Sequence, residues 1–186
     1  KTNKSIYLLG FWQSEKYFKP ISKRLKDELQ FKDGALEGVN EKVQDEILST
    51  NAVAIHVRRA DYVDDEANSK IYSNIFNEGY YLKAIKKIEK LIENPTYFVF
   101  SDDIKWCKEY FKLHTNASVQ YVENQSEFAD FHLMSKCNHN IIANSTFSWW
   151  SAWLNNSPSK VVISPKKWFL NEWDDSNIPV DNWVKI

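Results

Sequence analysis

Arginine is rare in this sequence, and two of its three arginines are adjacent: Arg58 and Arg59, with only Arg24 elsewhere in a chain of 24 basic residues. They lie in the stretch Ile55-His-Val-Arg-Arg-Ala-Asp-Tyr62, at the end of a run that reads as a buried strand. A guanidinium offers a planar, permanently charged fork that holds phosphate or carboxylate through two parallel hydrogen bonds, which an ammonium cannot do. Arginines at the carboxyl end of a strand therefore point to a phosphate site, or else to ion pairs with the nearby acids Asp61, Asp64 or Asp65.

Two further polar clusters follow apolar runs in the same way, Phe100-Ser-Asp-Asp103 and Asn140-Ile-Ile-Ala-Asn-Ser-Thr-Phe-Ser148. Asn144, Ser145, Thr146 and Ser148 sit where a helix should begin, and free amides at a helix start attract anions. A carboxylate at Asp102 or Asp103 is the group type that accepts the N1 and N2 protons of guanine, and His56 can bond a base or ribose. Taken singly, each has a structural explanation: the aspartates as helix caps, Asn-Ser-Thr as a turn, His56 as a satisfied strand histidine. Their coincidence at three strand ends favours a nucleoside-diphosphate site, because ligands of open α/β sheets bind beyond the strands' carboxyl ends.

The elements that must position these residues alternate regularly after residue 50. Strand-like runs fall at 52–57, 97–100, 119–122, 141–143 and 161–163. Between them lie helical patterns at 80–92, 104–113, 128–136 and 146–154. The first helical pattern carries apolar residues at Tyr81, Ala84, Ile85, Ile88, Leu91 and Ile92, a 3.6-residue period with lysines opposite. Ser101 or Asp102 is available to cap the second helix, and Asn124-Gln-Ser-Glu127 resembles a capping box for the third. Short buried strands separated by helices predict a Rossmann-like parallel sheet covered on both faces. Residues 1–50 differ: two amphipathic helices, 14–30 and 36–49, precede the first strand as a connector, and 51–186 form the nucleotide-binding domain.

Composition narrows the class. The chain has 186 residues, enough for one full core, and a formal net charge of −1, which argues against a general nucleic-acid or membrane binder. No apolar run approaches the roughly 18–20 residues of a membrane span. Cys107 and Cys137 fall on core-facing helical patterns and read as buried thiols of a reducing compartment. Cys137 and His139 with His132 lack paired zinc-ligand spacing, and no Asp-x-Asp, Walker lysine loop or Gly-x-Gly-x-x-Gly occurs. Trp149, Trp150 and Trp153 suit either a sugar-stacking platform or, more simply, one face of a buried helix.

Assembled, these segments resemble the α-1,2-fucosyltransferases of glycosyltransferase family 11. The matching stretches are His56-Val-Arg-Arg-Ala-Asp-Tyr62, Phe100-Ser-Asp-Asp103, the long block from Leu133 to Asn155, Val162-Ile-Ser-Pro-Lys-Lys-Trp168 and Gly10-Phe-Trp-Gln-Ser-Glu-Lys-Tyr-Phe18. Ala60 departs from the glycine common in the family, and the family's opening Gly-Asn-Gln-Met-Phe-Gln-Tyr-like motif has no counterpart here. The resemblance implies the donor-binding half of a GT-B-type glycosyltransferase and an inverting transfer of fucose from GDP-β-L-fucose to the 2-OH of a galactose-containing oligosaccharide. It further implies that no metal or other cofactor takes part, and a cytoplasmic location, peripheral membrane attachment being the alternative. Arg58 is then the catalytic residue at the β-phosphate; Asp61, with Glu66 second, is the candidate base, or else orients an arginine. Arg59 joins the donor-binding set or, if strand alternation persists, turns to the opposite face and pairs with an acid.

Overall fold

The structure is a computed structural model that describes residues 5, 7–32, 36, 38–75, 79–115, 117–123 and 126–186. Residues 124 and 125 of the expected capping box lie outside the described set. Its elements run in the order α1 (Ser22–Glu28), α2 (Val39–Leu48), β1 (Asn51–Val57), α3 (Ala60–Asp64), α4 (Glu66–Ser69), α5 (Tyr80–Ile88), β2 (Pro95–Ser101), α6 (Ile104–His114), β3 (Val119–Tyr121), α7 (Glu127–Lys136), β4 (His139–Ile141), α8 (Thr146–Leu154), β5 (Val162–Ser164) and β6 (Val184–Lys185). The six strands form one sheet in the order β3-β2-β1-β4-β5-β6, and every pairing is parallel. This is the Rossmann-like sheet that the alternation predicts.

Strand alternation divides the core. Val53, Ile55 and Val57 of β1 pack with Tyr81, Ile85 and Ile88 of α5 and Cys107 and Phe111 of α6. Ala52 and Ala54, one residue out of phase, join Phe98, Phe100 and the α7 residues Ala129 and Leu133 on the other face. Both cysteines are buried and unpaired. The tryptophans of α8 belong to a third cluster with Phe18, Trp168 and Trp183. Trp149 and Trp153 are buried, so this helix supplies packing and not an open stacking platform.

Several boundaries differ from expectation. The helix expected over 14–30 is broken into two 3-10 turns, Glu15–Tyr17 and Lys19–Ile21, before α1. Pro20 lacks an N–H and disfavours α geometry at the residue before it, which interrupts the pattern. The first fifty residues also bury Phe18, Leu36 and Ile47 in the same clusters as the sheet. Helix α5 stops at Ile88 because tight turns carry the chain to Asn94, which has positive φ. The caps differ as well: Asp103 caps α6 by accepting the Trp106 N–H at 3.0 Å, and Ser126 caps α7 by accepting that of Ala129 at 3.2 Å. Finally, the aromatic tail after Pro165 closes by adding β6 to the sheet edge.

Candidate functional site

The strand order reverses at β1: β2 and β3 lie on one side of it, β4, β5 and β6 on the other. A sheet of this topology opens a crevice at the carboxyl ends of the two strands that diverge. A cleft of about 700 Å³ occupies that place, lined among others by His56, Arg58 and Asp61 at the end of β1 and just beyond it, Ser101 and Asp102 at the end of β2, and Asn144, Ser145 and Thr146 after β4. The three clusters that the sequence places at three strand ends therefore meet.

Alternation explains which side chains enter. His56 continues the phase of Ala52 and Ala54 and faces Phe147, at a ring-centroid distance of 5.4 Å. Arg58 follows it in the same phase and lines the cleft. Asp61 grips Arg58 with both oxygens: Oδ1 stands 2.9 Å from Nε, and Oδ2 accepts from Nη2 at 3.1 Å. Asp102 lies 3.4 Å from the same Nε. Burial works against the charge of Arg58, but Asp61 and Asp102 outweigh it and raise its pKa. Asp65, one of the acids considered for the arginines, instead caps α4 by accepting from the amides of Ala67 and Asn68.

Arg59, out of phase, turns to α6. Its Nη1 is 2.6 Å from Asp103 Oδ2 and its guanidinium lies over the Trp106 ring at 5.0 Å. Neither Arg59 nor Asp103 lines the cleft, and the Arg59 amide donates to Asp102 Oδ1 at 2.9 Å. Ser148 is also turned inward, its hydroxyl donating to the carbonyls of Ala143 and Ser145. Glu66 stands on the surface, paired with Lys70 at 2.5 Å.

The opposite wall is the start of α8. Its N-cap Ser145 makes no side-chain capping bond, so the helix-start amides and their partial positive charge stay available to an anion. The Thr146 hydroxyl donates to Gln13 Oε1, which brings the N-terminal segment to the cleft. Trp150 Nε1 donates to the Phe11 carbonyl at 3.1 Å and Trp153 Nε1 to Glu15 at 3.2 Å, so α8 holds that segment by three side chains. Asn144 fixes the floor: its amide donates to the carbonyls of Trp168 at 3.0 Å and Ser73 at 3.1 Å.

Asp130 is a cleft residue that the sequence reading missed. It projects from α7 beside Glu127, and its Oδ1 is buried without a hydrogen-bond partner. Burial, reinforced by Glu127, raises its pKa to about 7. His56 Nδ1 and Asn144 Oδ1 are likewise buried without partners, and burial, with the charge of Arg58, lowers the pKa of His56 to about 3. Unsatisfied buried polar atoms are costly and call for an explanation; the three residues that carry them all line the cleft, and a ligand with N–H and O–H donors would satisfy them. No local pattern marks Asp130, since the residues three and four positions before it on the helix are Glu127 and Ser126. Among the described residues no group of three His, Cys, Asp or Glu side chains could hold a metal ion.

An α/β sheet whose switch-point crevice carries an arginine opposite a helix start belongs to the Rossmann-like class of protein. More particularly, residues 1–186 match glycosyl transferase family 11 along their whole length, and the chain belongs to that family. It is 37% identical over 185 residues to the alpha-1,2-colitosyltransferase of Escherichia coli, covering 98% of this chain and 63% of that protein. It is 30% identical over 138 residues to the galactoside 2-alpha-L-fucosyltransferase Sec1 of Mus musculus, covering 65% of this chain and 37% of the mouse protein. The chain thus spans less than two thirds of the length of these relatives. The fold is similar to that of POFUT1 crystallised in complex with GDP, with a TM-score of 0.52 and 16% identity over 78% of this chain and 49% of that one.

Proposed function

We propose that this chain is the donor-binding part of an inverting, metal-independent transferase that moves L-fucose from GDP-β-L-fucose to the 2-OH of a galactose-containing acceptor. The observation that carries the reading is the position of Arg58, in the switch-point cleft with the uncapped start of α8. Family membership and the galactoside 2-alpha-L-fucosyltransferase name of the mouse relative support the reaction class. In this reading residues 51–186 hold the donor, and residues 1–50 connect them to a further part of the longer relatives that shares in forming the acceptor cleft.

The acceptor oxygen bonds to C1 of fucose from the face opposite the diphosphate. The C1–O bond breaks, and its electron pair leaves with the β-phosphate of GDP. Arg58 and the α8 amides meet the charge that develops there, which is the preorganised stabilisation that lowers such barriers. Asp61 holds Arg58 until the diphosphate takes its place, and then receives the acceptor's proton. The free acceptor atoms of Asp130, His56 and Asn144 take the base and ribose. Asp130 fills the guanine-binding role that the sequence offered to Asp102 or Asp103, both of which the arginines engage.

Calorimetric titration with GDP-fucose in chelator tests this. Binding in the micromolar to submillimolar range is expected, lost in Arg58→Ala and in Arg58→Lys, because a point charge does not reproduce the fork. Removing such a donor should also slow transfer about a hundredfold. Asp61→Asn should keep GDP affinity and lose transfer. Wild-type affinity in either arginine variant, or no binding by a folded chain, overturns the reading. A second transferred sugar, colitose, is favoured by the name of the E. coli relative, and competition between activated fucose and activated colitose separates them.

A further inference from the structure

The acceptor needs a surface, and α8 does not supply one, since Trp149 and Trp153 are buried. A different row of rings stands at the cleft. Tyr62 stacks face to face on Tyr72 at 4.2 Å, Tyr72 leans on Phe169 at 5.8 Å, and Phe169 meets Trp173 edge-on at 5.3 Å. The row starts in α3, three residues after Arg59, and ends at Trp173, which is 59% exposed. Phe169 and Trp173 line the cleft and also a second hollow of about 550 Å³, shared with Lys166, Lys167, Asn171 and Asp175. They form a ridge between two depressions.

The ridge is held firmly. The Leu170 amide donates to the Ile71 carbonyl at 2.7 Å, and Tyr72 and Phe169 form an antiparallel bridge. Asp175 accepts the Trp168 amide at 2.7 Å, and Asn171 accepts that of Trp173 at 3.2 Å. An indole fixed on a braced loop, open to solvent and flanked by amide, carboxylate and ammonium groups, suits a pyranose. The C–H face of the sugar covers the ring while its hydroxyls reach the polar neighbours.

We propose that the Phe169–Trp173 ridge is the acceptor platform, on which a galactose-type ring lies against Trp173 beside the donor cleft. This rests on the function proposed above. The sugar bridges the two hollows, with one edge toward Arg58 and the other toward Lys166 and Lys167.

Saturation-transfer NMR with lactose on the GDP-loaded chain, beside calorimetry with GDP alone, tests it. Transfer to the galactose protons is expected in the wild type, weakened roughly three- to tenfold in Trp173→Ala and largely kept in Trp173→Tyr, with GDP affinity changed less than lactose binding in Trp173→Ala. Undiminished transfer in Trp173→Ala overturns the proposal, as does absence of transfer in a wild type that binds GDP. Equal loss of GDP and lactose binding in Trp173→Ala also overturns it, by assigning the ridge to the donor. Failure of the wild type to bind GDP is a separate result, read without lactose, and it counts against the proposed function.

Discussion

Asp130 couples the cleft to pH. Its carboxyl has a folded pKa of about 7, against 3.8 for the free group. Between those values the folded state binds more protons than the unfolded one, so this residue's contribution to stability falls as pH rises through that window. Asp130→Asn should therefore raise Tm at pH 8 and leave it almost unchanged at pH 4. Guanine needs the ionised form as acceptor, so GDP binding by the wild type should release a proton near pH 6. The same substitution should weaken GDP on the order of tenfold or more, the usual value of a hydrogen bond to a charged group. Calorimetry in two buffers of different ionisation enthalpy measures both effects, and GDP affinity equal in the variant would remove Asp130 from the base site.

At the scale of elements, the most consequential junction is the turn from β2 into α6. Asp103 is the α6 N-cap, its own amide is taken by Ser101 Oγ at 2.9 Å, and its carboxylate holds Arg59 across from β1. One residue thus follows a strand, starts a helix and ties two strand ends together. Losing an N-cap costs about 1 kcal/mol, and Arg59 loses its charged partner as well. Asp103→Ala should lower unfolding stability by roughly 2 kcal/mol, and Asp103→Asn, which keeps the cap, by less; urea titration distinguishes the two. A loss in Asp103→Ala no larger than in Asp103→Asn would place the whole effect in the ion pair. Local sequence made this junction visible as a cap. The choice of Asp103 over its neighbours depended on the direction in which β2 leaves the sheet.

For the whole molecule, buried histidines set the acid limit. His56 and His132 are lowered to about 3 and about 4, and His139 is lowered too, in each case chiefly by burial. Their unfolded pKa is near 6.5, so the unfolded chain binds more protons below that pH, and stability should fall as pH drops from 6.5 toward 4. Asp130 acts in the opposite sense over part of the window, but it is one group against three. Thermal unfolding from pH 7 to 4.5 should show a falling Tm, less steep in His56→Gln; a flat profile would mean that these imidazoles stay hydrated.

The sequence by itself determined the parallel sheet, the span of α8, and the meeting of His56, Arg58, Asp102 and Thr146, because period-2 and period-3.6 patterns are local and strand ends are where such sheets bind. Alternation left Arg59 open between the donor-binding set and an ion pair on the opposite face, and the structure decided for the pair with Asp103. Only the tertiary structure decided that Asp130 enters the cleft from α7, that Ser148 turns inward, and that Phe169 and Trp173 form the exposed ridge. Those placements arise from contacts between segments far apart in the chain, such as the Tyr72–Phe169 bridge and the Asn144 amide on the Trp168 carbonyl. No local pattern encodes such contacts, because the free energy that selects them appears only when the segments pack together.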